Sequence, residues 1–117
     1  MHLLTMERTS NGQVELLEVT GEIDIASASR LISGLNEAVG DCDKPVVVDL
    51  TAVEFMDSTG LALLLNAHRR LARLEQGFAV VCADGPVHRV FEITDMVGTL
   101  NVSPSREAAV SAALAED

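Results

Sequence analysis

The fold of this chain is decided by one stretch, residues 45–76, which reads PVVVDLTAVEFMDSTGLALLLNAHRRLARLEQ. Its first part, residues 45–50, is a run of β-branched residues that is typical of a strand buried on both faces of a sheet. Its second part, residues 58–76, repeats apolar residues at the spacing of an α-helix. A buried strand that leads into a long helix predicts an α/β domain with a mostly parallel sheet.

The predicted helix 58–76 is apolar over much of its surface. Its central stripe consists of Leu61, Leu64, Leu65, His68, Leu71 and Ala72. Three further apolar residues widen that stripe, namely Leu63, Ala67 and Leu74. We therefore expect the helix to be largely covered by the rest of the protein and to end at Gly77.

The other elements follow from the same two periodicities. They are predicted as strands at 3–9, 14–20, 78–82 and 100–102, and as helices at 26–39, 86–93 and after Ser105. Asn11-Gly12, between the first two strands, favours a tight hairpin turn. The order β-β-α-β-α-β-α-β-α predicts one mostly parallel β-sheet with an N-terminal β-hairpin and helices packed on it. We expect one domain over residues 1–117.

The first predicted helix, 26–39, has one apolar face. That face is predicted to hold Leu31, Ile32, Leu35 and Val39. Asp24 or Ser27 is placed to cap the beginning of the helix, and Gly40 is placed to end it.

The acidic composition excludes several classes of partner. The chain has 117 residues, with 18 acidic against 8 basic side chains and a formal net charge of −10. Nucleic acids and anionic membranes require clusters of Lys and Arg, so neither is an expected partner. The longest apolar run, residues 61–65, is too short to span a bilayer. The first residues do not show the signal-peptide pattern of a basic segment followed by a long apolar one. We therefore expect a cytoplasmic protein.

Cysteine and histidine spacing gives no indication of a metal or redox site. Cys82 lies in an apolar run and is predicted to be a buried thiol, while Cys42 lies in an acidic loop. Because disulfides are rare in the cytosol, two free thiols are expected. A regulatory disulfide stays open, since spacing does not reveal spatial proximity. His2 and His88 have no partner at metal-ligand spacing, and no metal or cofactor is expected.

Ligand and partner sites of parallel sheets lie beyond the carboxyl ends of the strands, which here lead into residues 21–27, 51–60 and 83–87. The second of these loops ends in Asp57-Ser58-Thr59-Gly60. In one interpretation Asp57 or Ser58 caps the following helix, and Gly60 allows close packing. In the other, Ser58 is phosphorylated, because a helix N-terminus offers backbone donors to a phosphate that adds about −1.5 to −2 charges.

Three segments together resemble the STAS domain, and most closely the stand-alone anti-sigma factor antagonists of bacteria. They are Gly21-Glu22-Ile23-Asp24, Val46-Val47-Val48-Asp49-Leu50 and Phe55-Met56-Asp57-Ser58-Thr59-Gly60-Leu61. The resemblance covers essentially the whole chain in order and length. It implies the STAS fold and a regulatory protein that is not an enzyme.

The resemblance implies a partner switch. The unphosphorylated protein, a monomer when free, binds an anti-sigma factor with histidine-kinase-like serine kinase activity and so releases a sigma factor. That kinase phosphorylates Ser58, the phosphoprotein dissociates, and a PP2C-type phosphatase resets it. The implied partner-binding residues are Asp24, Met56, Asp57, Thr59, Gly60 and Ala62. The hydroxyl of Thr59 leaves open whether there is a second phosphorylation site. Ala62 stands where many relatives have glycine, and we expect it to influence which partner fits.

The sequence also leaves alternatives to this function. The main alternative is a STAS accessory or scaffold subunit of another complex, either a lipid-transport ATPase or a stressosome-like assembly. A serine hydrolase is disfavoured because His68 lies about 15 Å from Ser58 along the helix. A receiver domain would use Asp49 together with further acidic residues and a Lys after a late strand, but the only Lys, Lys44, lies elsewhere. One helix face carries Arg69, Arg70 and Arg73. This cluster indicates either a solvated face or a docking patch for an acidic partner.

Overall fold

The computed structural model describes residues 3–40 and 43–115. The elements are β1 (Thr5–Ser10), β2 (Glu15–Ile23), α1 (Ala28–Val39), β3 (Val46–Met56), α2 (Ser58–Arg73), β4 (Phe78–Val81), α3 (Pro86–Ile93), β5 (Val102–Ser103) and α4 (Arg106–Ala115). This order is the predicted one.

The strands form one sheet in the order β1-β2-β3-β4-β5. β1 pairs antiparallel with β2, and the three following pairs are parallel. The predicted fold class, an α/β protein with a mostly parallel sheet and an N-terminal hairpin at its edge, is confirmed.

The helices divide between the two faces of the sheet. α1, α2 and α3 pack on one face, where Val46 and Val48 of β3 point into the main core. α4 packs on the other face through Ala109 and Ala113, which contact a smaller cluster that includes Val47. Because successive strand residues point to opposite faces, the run of valines predicted to be buried on both sides is buried on both sides.

The hairpin loop is longer than the two-residue turn that Asn-Gly favours. β1 ends at Ser10 and β2 begins at Glu15. The Asn11 side-chain oxygen accepts hydrogen bonds from the backbone N–H groups of Gln13 and Val14, at 2.9 and 3.0 Å. The added residues let Val14 reach the core, where it is 1% exposed.

The helices differ from the prediction in which apolar residues they bury. Ile32 of α1 is 42% exposed, and Ala38 is buried instead. In the predicted helix 58–76, Ala72 of the stripe and Leu74, which was to widen it, are exposed. The helix ends at Arg73 rather than Gln76, because the chain turns at Glu75, whose φ is 57°.

β3 is longer than the valine run predicted. It continues to Met56 alongside β2, through two register irregularities between Glu18 and Glu22 of that strand. Such bulges change the direction of a strand at its end. The extension leaves only Asp57 between the end of β3 and the first residue of α2.

Asp49 joins β3 to α4 through charge-assisted hydrogen bonds. Its carboxylate accepts from Arg106 Nε at 2.7 Å and from the Thr51 hydroxyl at 2.6 Å, and Arg106 Nη2 also donates to Glu18 at 2.6 Å. Burial alone would raise the pKa of Asp49, but the hydrogen bonds from Thr51 and the Arg106 guanidinium together hold that pKa below its ordinary value. The Asp49 carboxylate is 6% exposed and already bound by these partners, so it is a structural anchor. Its burial does not favour the receiver-domain alternative, in which this carboxylate would be phosphorylated.

We expect Asp49→Asn to lower the free energy of unfolding at neutral pH by about 1–2 kcal/mol, because a charge-assisted bond to Arg106 is lost. The pKa of Asp49 is lower in the folded state than in the unfolded one, so the carboxylate stabilises the fold above pH about 4. That contribution disappears as the pH falls through the folded-state pKa. Urea unfolding from pH 7 to pH 3 should therefore show the two proteins converging in acid, and a constant gap would contradict the assignment.

Candidate functional site

Two neighbouring strands end together at one edge of the sheet. Ile23 pairs with Met56, and the backbone N–H of Asp57 donates to the Ile23 carbonyl at 3.2 Å. We call this region, residues 22–27 at the end of β2 and residues 54–60 at the end of β3, the Ser58 edge. Asp24 and Asp57 each follow directly on one of these paired strand ends, so two carboxylates lie at the same edge.

Ser58 is the first residue of α2 and is exposed. The preceding residue, Asp57, is the N-cap, and its carboxylate accepts the backbone N–H of Thr59 at 2.9 Å. The capping interpretation is thus confirmed for Asp57. Because Asp57 performs the capping, the Ser58 hydroxyl is not needed for it, and the side chain is accessible at the positive end of a sixteen-residue helix.

Gly60 and Met56 lie beneath the Ser58 edge. A Cβ on Gly60 would lie 2.5 Å from Ile23 Cγ2 and 2.6 Å from Met56 Cγ, so only glycine lets the first turn of α2 approach the sheet this closely. Met56 is 3% exposed and Gly60 is buried. Because neither Met56 nor Gly60 reaches the surface, we propose that both residues position Ser58 rather than contact a partner directly.

Asp24 is fixed within a compact turn before α1. Its carboxylate accepts the backbone N–H of Ser27 at 3.1 Å, and the Ser27 hydroxyl accepts the backbone N–H of Asp24 at 3.0 Å. The same hydroxyl donates to the Glu22 carbonyl at 3.0 Å. Ser27 is the N-cap residue of α1 but makes no side-chain capping bond. The reciprocal bonds instead rigidify the connection that carries Asp24.

The rest of the site offers both polar and apolar surface. Thr59 is half-buried, while Glu54 and Ala62 are exposed. Two apolar residues were not predicted to belong to the site: Ile25 is 81% exposed and Phe55 is 47% exposed. Both lie in segments that the strand-end rule had indicated, Ile25 in the loop after β2 and Phe55 near the end of β3, and their apolar type there is the signal that would have found them. Exposed large apolar side chains at a strand-end loop are typical of a protein-binding surface.

Two histidines and a cysteine that other functions would use lie outside the Ser58 edge, and each is held by its surroundings in the fold. His68 is half-buried with its ring against Phe78, the ring centroids 6.0 Å apart. His88 of α3 lies between two carboxylates, with its Nδ1 3.9 Å from Asp84 and 3.4 Å from Glu92. Desolvation first, and then the nearby carboxylates, raise the pKa of the Cys82 thiol to about 11, so this buried group stays protonated at neutral pH. Cys42 lies outside the described residues.

Metal-binding clusters and membrane-spanning helices are both absent from the described residues, 3–40 and 43–115. No group of three or more His, Cys, Asp or Glu side chains within them is arranged to hold a metal ion. No helix among them is long and apolar enough to cross a membrane.

Comparison with known proteins gives a consistent result. Residues 5–109 match the STAS domain family. BtrV of Bordetella bronchiseptica, a proposed anti-sigma factor antagonist, is 33% identical over 110 residues, which cover 93% of this chain and 92% of BtrV. The anti-sigma-B factor antagonist of Staphylococcus aureus is 27% identical over 104 residues, 89% of this chain and 96% of that protein.

The crystal structure of an anti-sigma factor antagonist from Mycobacterium paratuberculosis aligns with a TM-score of 0.87 at 31% identity, and the alignment covers 94% of this chain and 93% of that one. Sequence and fold therefore agree over nearly the whole length of the described residues, and the chain belongs to the STAS domain family.

Proposed function

We propose that this protein is an anti-sigma factor antagonist whose unmodified form binds an anti-sigma factor and thereby releases a sigma factor. The names of similar proteins support the partner class. The observation that carries the switch is the exposed hydroxyl of Ser58 on the first turn of α2, beside an Asp57 carboxylate that already caps the helix. In this proposal the protein is a cytoplasmic monomer when free.

The switch is a change of charge on an otherwise unchanged surface. The anti-sigma factor, acting as a serine kinase, transfers the γ-phosphoryl group of ATP to Ser58. A bond forms between phosphorus and Oγ, the bond to ADP breaks, and a base on the kinase takes the hydroxyl proton. About −1.5 to −2 charges are added next to Asp57 and Asp24. A PP2C-type phosphatase hydrolyses the ester and restores the hydroxyl.

The added charge is large enough to end binding. A partner surface that fits the neutral serine would have to bury a phosphate with imperfect partners, which costs several kcal/mol. A loss of about 3 kcal/mol weakens affinity by more than a hundredfold. The unmodified complex gains from the exposed apolar side chains of Ile25 and Phe55, which a partner would remove from water. In this scheme the protein itself contributes the acceptor hydroxyl and no catalytic group.

The acceptor assignment is tested by incubating the protein with the purified anti-sigma kinase and ATP, followed by mass spectrometry of the peptides. We expect one phosphate on wild-type protein and none on Ser58→Ala. Thr59→Ala is the matched control, because it removes the adjacent hydroxyl, and it should still be phosphorylated. A phosphate that persists in Ser58→Ala would overturn the assignment.

Affinity purification tests the alternative function. If it captured subunits of a transport ATPase and no kinase, that result would favour the accessory-subunit function.

A further inference from the structure

A groove between α1 and α2 carries arginines that the proposed switch does not use. Its volume is about 320 Å³, and Leu35 and Ala67 form a buried floor. We call it the arginine groove. Its rim consists of Ile32, Asn36, Leu63, Asn66, Arg70 and Arg73.

One rim of the arginine groove is a continuous stripe along α2. Thr59, Leu63, Asn66, Arg70 and Arg73 follow one another at alternating steps of four and three residues, so they lie on one side of the helix. The stripe is about 21 Å long at the rise of an α-helix. It begins at the residue after Ser58 and runs away from the Ser58 edge, so a partner bound at that edge can extend along it.

The groove has an apolar half. Ile32 is 42% exposed, although it lies on an amphipathic helix where its neighbour Leu31 is fully buried. Across the groove, Leu63 is only partly buried. These two side chains present apolar surface that a partner can cover.

The other half of the groove is positively charged in a strongly acidic protein. Arg70 and Arg73, which line the groove, and Arg69 beside them in the sequence are three of eight basic residues in a chain with 18 acidic ones. Among residues 3–40 and 43–115, the ion pairs of arginine involve Arg8 and Arg106 and none of these three. Arg70 Nη1 donates to Asn36 Oδ1 at 2.6 Å, which holds the guanidinium at the rim with further N–H donors to spare.

We propose that the arginine groove binds an acidic amphipathic helix of the anti-sigma factor, an inference that rests on the proposed function. Apolar side chains of that helix would cover Ile32 and Leu63, and its carboxylates would pair with Arg70 and Arg73. A helix is the expected shape, because a groove between two helices receives side chains spaced by three and four residues. The excess of acidic residues elsewhere on this protein repels such a segment, so the charges also fix where it binds.

The groove gives the complex a contact that phosphorylation does not remove. Arg70 and Arg73 lie about 18 and 22 Å from Ser58 along the helix axis, farther than charges act in physiological salt. Substitutions in the groove and at Ser58 should therefore affect affinity independently.

The test measures the affinity of the purified anti-sigma factor used in the phosphorylation experiment. Combining Arg70→Glu with Arg73→Glu is expected to weaken binding at least about tenfold, and Ile32→Asp should weaken it as well. Arg89→Glu reverses an exposed charge on α3 and should bind as wild type. Because all four positions are exposed, thermal unfolding should show every variant folded. Lysines that replace the acidic residues of the partner helix should restore binding to the double variant.

The outcomes separate the two proposals. If wild type binds and the Ser58→Asp variant does not, but the groove variants bind as wild type, the groove inference fails and the proposed function stands. If wild type does not bind the anti-sigma factor at all, both fail. Sedimentation velocity tests whether a second copy of the chain occupies the groove. Self-association of the wild type that the groove variants lose would assign the groove to that second copy. Binding to phosphatidylglycerol vesicles, lost in the variants while partner affinity is unchanged, would assign it to membranes. Either result would overturn the inference.

Discussion

Replacing Ser58 with aspartate is expected to weaken binding of the anti-sigma factor about a hundredfold, while the melting temperature stays nearly unchanged. The binding loss follows from burying an unpaired carboxylate against a surface that fits a hydroxyl, at a cost of about 3 kcal/mol. Stability is preserved because the side chain is exposed and makes no capping bond. A negative charge at a helix N-terminus is favourable by a few tenths of a kcal/mol, which offsets repulsion from Asp57.

The matched control is Ser111→Asp, which adds the same charge at an exposed position of α4, on the opposite face of the sheet. Isothermal titration calorimetry should give this control the wild-type affinity. Equal affinities for Ser58→Asp and the control would sink the charge-switch mechanism. Unfolding of Ser58→Asp would instead indicate that Ser58 is required for the fold.

Gly77→Ala is expected to destabilise the fold by about 3 kcal/mol or more. A Cβ at this position would lie 1.8 Å from the Ala113 carbonyl oxygen and 2.8 Å from its carbon, both backbone atoms of α4. The Gly77 backbone has little freedom to move, because its carbonyl accepts the N–H of Val46 at 3.0 Å within the sheet. The substitution must therefore displace α4 from the small core that Ala109 and Ala113 complete.

Thermal and urea unfolding would measure this loss, which corresponds to a fall in melting temperature of about 10 °C or more. Gly98→Ala is the control, because a Cβ there meets nothing within 4 Å. We expect that variant to be as stable as wild type or slightly more stable. If Gly77→Ala unfolded at the same urea concentration as the control, the described packing of α4 would be incorrect.

The parts of the fold that could be predicted are those that a local pattern specifies. The valine run at 46–48 identified the central strand because burial on both faces requires apolar residues at every position. Asp57 was predicted as a cap because its type and its place before a helix are sufficient for that. The parallel pairing of most strands followed from the alternation of strands and helices along the chain.

The parts that could not be predicted depend on contacts distant in sequence. Asp49 of β3 and Arg106 of α4 form an ion pair, and nothing near either residue in the sequence indicates it. Gly77 was read as a helix terminator, whereas its close approach to α4 depends on residues that come much later in the chain. Ile32 has the spacing of a core residue, and only the position of α2 beside α1 shows that it borders a groove.

The Ser58 edge was partly predictable for the same reason. The motif around Ser58 and the rule for strand ends indicated the right loops. The apolar type of Ile25 and Phe55 in these segments was a local signal, whereas their exposed fractions, 81% and 47%, follow only from the folded structure.

The central claim is that one phosphate on Ser58 separates two binding states of an otherwise unchanged protein. The most direct measurement is the dissociation constant of the anti-sigma factor for one preparation of this protein before and after stoichiometric phosphorylation of Ser58, with circular dichroism recorded for both forms. The account predicts identical spectra and an affinity at least about a hundredfold weaker for the phosphorylated form. Equal dissociation constants for the two forms would contradict it.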